Sequence, residues 1–294
     1  MYYRRKILLA LLEAFDNKLD KISLQKLLML VSKQQLKPDF HFVPYKYGCY
    51  SFQATADLQT MTKYSQVALQ CNDWVKTDNE KYLLNLKERD RQAIRYVKQM
   101  YGTKTRDELI RITYLKYPQL AINSVVAKEK LTAEEYKKVL DVKPQSNKTV
   151  LFTIGYEGVS LEEYINKLIV NDVKVLCDVR KNSYSMKFGF SKSQLQTACS
   201  GVGIEFVHIP QLGIDSDKRQ ELNTQADYDK LFSHYRSDVL TQTQAYQDKL
   251  IDLLSKNKRI ALTCFEANIC QCHRKHLAEA IVNHPSFSYE LKHI

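Results

Sequence analysis

From residue 149 onwards, short and almost uninterrupted apolar runs alternate with stretches of helical spacing, a rhythm that few architectures satisfy. The runs are Thr149 to Ile154, Val173 to Val179, Ile204 to Ile209 and Arg259 to Cys264, with a last one from Ser288 to Ile294. Strands that lack polar alternation are buried on both faces, so the pattern predicts an α/β unit with a mostly parallel sheet covered by helices. Two helix starts are legible in the spacing. Ser160 with Glu163 predicts a capping box for a helix reaching Val170, and Ser191 with Gln194 a cap for the following helix.

A polar stretch containing a proline, Asp141 to Lys148, precedes this unit. It divides the 294 residues into a domain over 1–143, a linker over 144–148 and the α/β domain over 149–294, a size at which two cores are the natural expectation. The first half is smaller and mainly helical. Ile7, Leu8, Leu11, Leu12 and Phe15 form the stripe of an amphipathic first helix, and Ser23 is placed to cap a second one carrying Leu24, Leu27, Leu28 and Val31. Phe40 to Val43 reads as a strand, Ser51 to Met61 as a helix, and Val67 to Leu69 with Trp74-Val75 as a strand pair able to form a wing. Thr105 with Glu108, and Thr132 with Glu135, have capping-box spacing.

Charge separates the halves. Residues 1–147 carry 26 Lys and Arg against 16 Asp and Glu, whereas residues 148–294 carry 18 against 17. A basic domain beside a neutral one implies a polyanionic partner, and double-stranded DNA bound by the first half is the expectation. No apolar run reaches the roughly 18 residues that span a bilayer, and Glu13 and Asp16 break the apolar start that superficially resembles a signal peptide. Seven cysteines, an odd number in a chain this large, suit reduced thiols or metal ligands in the cytoplasm.

Open parallel sheets bind ligands beyond the carboxyl ends of their strands. Chemistry collects there. Gly155, Tyr156 and Glu157 follow the first run; Asp178, Arg180 and Asn182 end the second; His208 ends the third; Cys264 and Glu266 end the fourth. Ser185, Lys187, His273 and Arg274 complete the candidate set. Glu266, Asp178, His208 and Cys264 are the candidate catalytic groups; the others are candidate substrate-binding groups, with Arg180, Lys187 and Arg274 suited to an anion. The Cys264 segment admits three readings. Cys264 is an activated nucleophile; or Cys264, Cys270, Cys272, His273 and His276 bind zinc; or the thiols only pack while Glu266, His273 and Arg274 form the site. The spacing lacks paired C-x2-C knuckles, so no metal and no cofactor is expected.

Two resemblances follow from these residues. Lys21 to Leu27 and Tyr45 to Phe52 resemble the paired signatures of winged-helix domains related to the YwgA and SocA-antitoxin groups, with Cys49 where proline is common. Thr153 to Gly158, Asp178 to Arg180, Asn182, Ser185, Lys187 to Ser191, His208 to Gly213, Cys264 to Glu266 and Cys272 to Arg274 resemble the domain of unknown function 488 family, with Tyr184 where relatives often carry proline. The leading expectation is an enzyme that hydrolytically processes a damaged or modified base or nucleotide in DNA, with Glu266 as general acid or base. A winged-helix regulator whose α/β domain senses a ligand, metal or oxidant is the first alternative. A cysteine-dependent sulfur- or phosphoryl-transfer enzyme is the second.

Overall fold

A computed structural model of the chain describes residues 1–215, 222 and 224–294. The chain divides into two units, Met1–Lys143 and Pro144–Ile294. The stretch 144–148 belongs with the second unit and is tied to it. The Ser146 amide donates to the Asp172 carboxylate at 3.0 Å, and Arg259 Nη1 donates to Ser146 Oγ and to the Lys148 carbonyl, each at 3.0 Å.

Unit 1 runs α1 (Tyr3–Ala14), β1 (Lys18–Asp20), α2 (Lys21–Ser32), β2 (Val43–Tyr45), β3 (Gly48–Tyr50), α3 (Phe52–Lys63), β4 (Val67–Gln70), β5 (Asp73–Lys76), α4 (Glu88–Tyr101), α5 (Arg106–Lys116), α6 (Ala127–Lys130) and α7 (Ala133–Asp141). Helix α1 is not amphipathic in place: all six residues from Ile7 to Leu12 are fully buried, because α2, α3, α4 and β5 pack around it. Asp20, not Ser23, caps α2, its carboxylate accepting from the amides of Ile22 and Ser23. The strand expected over Phe40 to Val43 begins only at Val43; Phe40 and Phe42 are buried in the core beside it. Strands β4 and β5 form the expected hairpin, and β1 adds to β5 as a third antiparallel strand. Both capping boxes, Thr105–Glu108 and Thr132–Glu135, are formed.

Unit 2 runs β6 (Val150–Gly155), α8 (Leu161–Val170), β7 (Val175–Asp178), α9 (Lys192–Gly201), β8 (Glu205–His208), α10 (Gln225–His234), one turn of π-helix (Tyr235–Val239), α11 (Leu240–Gln242), α12 (Gln244–Asn257), β9 (Arg259–Cys264), α13 (His273–Val282) and β10 (Glu290–His293). The strands form one five-stranded sheet in the order β10-β6-β9-β7-β8, with every neighbouring pair parallel. The α/β class read from the apolar runs is the observed one. Leu151, Val175, Cys177, Ile260 and Leu262 project from one face into a core with Phe232 of α10, Leu250, Ile251 and Leu254 of α12, and Leu277, Ala278 and Ile281 of α13. On the other face Tyr164 of α8 donates its buried hydroxyl to Thr263 Oγ1 at 2.7 Å. Ser160 and Glu163 form the capping box at the start of α8. Ser191 precedes α9 but makes no cap; its hydroxyl donates to the Ser185 carbonyl and accepts from the Ser185 amide, closing the loop between β7 and α9.

Candidate functional site

Strand β9, next to last in the chain, inserts between the first two, β6 and β7. Its register sets Cys264 opposite Gly155, Thr263 opposite Asp178, and Asp178 opposite His208. Four strand ends are thus level at one edge. The loops after β6 and β9 touch: the amides of Tyr156 and Glu157 both donate to the Phe265 carbonyl, and the Glu157 carboxylate accepts from the Ala267 amide at 2.9 Å. Gly155 is required for this approach, since a Cβ there would lie 2.0 Å from the Glu266 carbonyl oxygen.

Asp178 and Arg180 are one structural unit. Asp178 is wholly buried; one carboxylate oxygen accepts from the Arg180 amide and Nε, the other from Nη2 at 2.6 Å. Arg180 Nη1 donates to the Tyr156 hydroxyl at 2.6 Å, and Nη2 also donates to the Phe190 carbonyl. Burial acts to lower the Arg180 pKa, but hydrogen bonding and charge from Asp178 outweigh it and raise it above the ordinary arginine value. Tyr156 stacks on Phe190 with ring centroids 4.3 Å apart, and its hydroxyl pKa is raised by burial. Lys187 reaches back to donate to the Tyr156 carbonyl at 2.6 Å, its pKa lowered by burial. His208 Nε2 donates to the Arg180 carbonyl at 2.9 Å, which leaves it a bracket for this loop. Asp178 and His208, expected as catalytic candidates, therefore position Arg180 and its loop. Asn182 makes a turn with the Tyr184 amide, and Ser185 accepts from the Lys187 amide.

The second cluster is built by the end of β9 and the start of α13. The Cys264 thiol lies 3.1 Å from a Glu266 carboxylate oxygen and 3.6 Å from His273 Nδ1. His273 is fully buried and its Nε2 faces the Val179 carbonyl at 3.1 Å. A carbonyl only accepts, so Nε2 carries a proton, and in the neutral ring Nδ1 presents its lone pair to Cys264. Tyr235, in the π-helical turn, packs edge-on against that ring at 5.5 Å and anchors its own hydroxyl on the Leu212 carbonyl. Cys272, the residue before α13, is buried beside them, and burial pushes its thiol pKa well up. Ligand atoms of Cys264, Cys272 and His273 all lie within 4.8 Å of one another. Cys270 is exposed and outside this group. Arg274, expected to hold an anion, instead donates to the carbonyls of Glu266 and Ala267 and clamps the loop after β9.

A pocket of about 320 Å³ opens at this edge, with Cys264, Tyr156, Arg180, Asn182 and Ser185 in its wall. Tyr184, Met186 and Phe265, which also line it, are exposed apolar side chains. Of the sequence set, Glu266, Asp178, His208, Gly155, Glu157, Lys187, His273 and Arg274 lie behind this wall without lining the pocket.

Residues 160–281 match the family model described as Domain of unknown function DUF488. The DUF488 match lies wholly in unit 2 and includes Asp178, Arg180, His208, Cys264, Glu266 and His273. It begins after β6, so Gly155, Tyr156 and Glu157 join the site through the fold and not through the DUF488 match. No curated protein and no solved structure matches the chain. Phe190, the stacking partner of Tyr156, lies inside the Lys187 to Ser191 motif but is not among the candidate residues of the sequence. Tyr235, which packs against His273, carries no local signal in the sequence.

Proposed function

We propose that the protein is an enzyme that hydrolytically processes a modified or damaged base or nucleotide of nucleic acid, with its chemistry at Cys264, Glu266 and His273. One observation carries this reading: a half-buried carboxylate, Glu266, stands 3.1 Å from a thiol that lines an open pocket and is backed by an oriented imidazole. A carboxylate fixed beside a reacting centre suits general acid–base work. The exposed rings of Tyr184 and Phe265 and the thioether of Met186 suit a flat heteroaromatic ring, by stacking and sulfur–aromatic contact. A base in a duplex would have to be extruded to reach such a pocket. Unit 1, with its surplus of basic residues, is assigned the duplex, in keeping with its winged-helix resemblance.

The test is turnover on a panel of single- and double-stranded DNA carrying modified and damaged bases, with released bases and nucleosides identified by mass spectrometry. Glu266→Gln keeps the size of the side chain but cannot exchange a proton. Turnover should drop about 10²–10⁴-fold while folding and DNA binding persist. Activity within a few-fold of wild type would remove Glu266 from the chemistry. No product from any substrate would favour the reading as a DNA-binding regulator, which has its own support in unit 1. A cleft of about 770 Å³ there is lined by Tyr45, Trp74 and the buried Lys26, suited to a small ligand.

A further inference from the structure

We propose that Cys264, Cys272 and His273 form a zinc site that meets the pocket through Cys264, and that this site holds the hydrolytic centre.

Ligand chemistry argues for it first. Two thiols and an imidazole are the donors zinc prefers, and here they converge from a strand end and a helix start that the sheet holds rigid. Their ligand atoms lie within 4.8 Å of one another, and the Cys264 sulfur is 3.6 Å from His273 Nδ1. Tetrahedral bonds of about 2.3 Å to sulfur and 2.0–2.1 Å to nitrogen put neighbouring ligands about 3.5–3.8 Å apart, so the observed cluster needs little contraction to close on an ion.

The orientation of His273 argues independently. A ligating histidine characteristically donates its other ring N–H to a carbonyl or carboxylate, which fixes the tautomer and aims the lone pair. Nε2 of His273 donates to the Val179 carbonyl at 3.1 Å, which leaves Nδ1 turned to Cys264. The packing of Tyr235 against the ring holds that orientation. Burial of all three residues would exclude competing water from the ligands.

Three protein ligands are the number found at catalytic zinc, where the fourth position takes water or substrate, and fewer than a closed structural site requires. Zinc binding displaces the thiol protons of Cys264 and Cys272 to solvent. Water in the fourth position would bond through its oxygen to the electrophilic carbon of the base or nucleotide, its proton passing to Glu266, beside the Cys264 sulfur, and from there to the leaving group as the bond between that group and the carbon breaks. This catalytic role rests on the hydrolytic reading above; the metal site itself does not.

The decisive measurement is the metal content of the full-length protein purified without chelator. About one zinc per chain is expected, falling to background in Cys272→Ser and in His273→Gln but unchanged in Cys270→Ser, whose thiol is exposed and outside the cluster. Because a ligand variant can fail by misfolding, the wild-type chain is also stripped and reloaded with Co²⁺. Thiolate-to-cobalt absorption with tetrahedral d–d bands supports the site. Wild-type protein that holds no zinc and shows no such absorption with Co²⁺ overturns it. Rapid alkylation of Cys264 in a metal-free chain that still turns over would also overturn it, making Cys264 the nucleophile and leaving the hydrolytic reading intact.

Discussion

At the scale of the residue, Gly155 shows how closely the site is built. Its Cα passes the loop after β9 so tightly that a methyl group would meet the Glu266 carbonyl at 2.0 Å and the Arg274 guanidinium at 3.0 Å. The nearer atom is backbone, which cannot rotate away. Gly155→Ala should cost about 1–3 kcal/mol by overpacking and should also reduce turnover, because the displaced segment carries Glu266. Thermal melting and turnover measured together check this; a variant with wild-type values for both would show that the two loops do not need the contact. The same scale explains the arginines. Arg180 and Arg274 are buried and engaged by protein oxygens, so their charge organises the loops around the site.

At the scale of the element, the loop between β7 and α9 is organised by one buried ion pair. Asp178 sits at the last position of β7, where the sheet fixes its backbone, and Arg180 extends from it to the Tyr156 hydroxyl and the Phe190 carbonyl. Removing the acid leaves a buried guanidinium without its counter-charge. Asp178→Ala should lower stability by about 3–5 kcal/mol, the usual consequence of breaking such a pair from one side. Denaturant unfolding monitored by circular dichroism measures it, and a loss under about 1 kcal/mol would mean that the pair is not the organiser. Helix α13 has the complementary task. Its first residue, His273, and the residue before it, Cys272, bring two of the three clustered ligand atoms to the end of β9.

At the scale of the whole molecule, the surplus of basic residues lies in unit 1 and the clustered candidate groups lie in unit 2. Among the described residues no helix is long and apolar enough to cross a membrane. Residues 1–143 expressed alone should bind duplex DNA, with log affinity falling linearly against log salt through counterion release. Electrophoretic or anisotropy titrations at several salt concentrations give the slope. Absence of binding at low salt, with binding retained by residues 144–294, would reverse the assignment. Because unit 1 has its own core, made by α1 and α2 with Trp74, Ile94 and Val97, Glu266→Gln in the full chain should leave the salt dependence of its DNA binding the same as in the unsubstituted full chain.

How much was legible depends on how local the cause is. Apolar runs foretold the central strands β6, β7 and β9, because a strand buried on both faces must be apolar throughout; the edge strands β8 and β10 also lie within the runs read for them, although none of their residues is fully buried. Spacing foretold the capping boxes at Ser160, Thr105 and Thr132, which close within one turn. Ser191 had equally good credentials and caps nothing, since Ser185 offers its hydroxyl better geometry. For Arg180 and Arg274 the sequence established position and charge but not their partners, which come from Asp178, Tyr156, Phe190 and the loop after β9. The cysteines make the same point. Spacing grouped Cys264, Cys270 and Cys272 with His273 and His276, without a knuckle to choose among them. Folding brings Cys264, Cys272 and His273 together and leaves Cys270 exposed. Element type and position along the chain follow from periodicity, so the sequence by itself determined them. The order β10-β6-β9-β7-β8 is a tertiary choice, and it alone sets Cys264 opposite Gly155 and brings His273 Nε2 to the Val179 carbonyl.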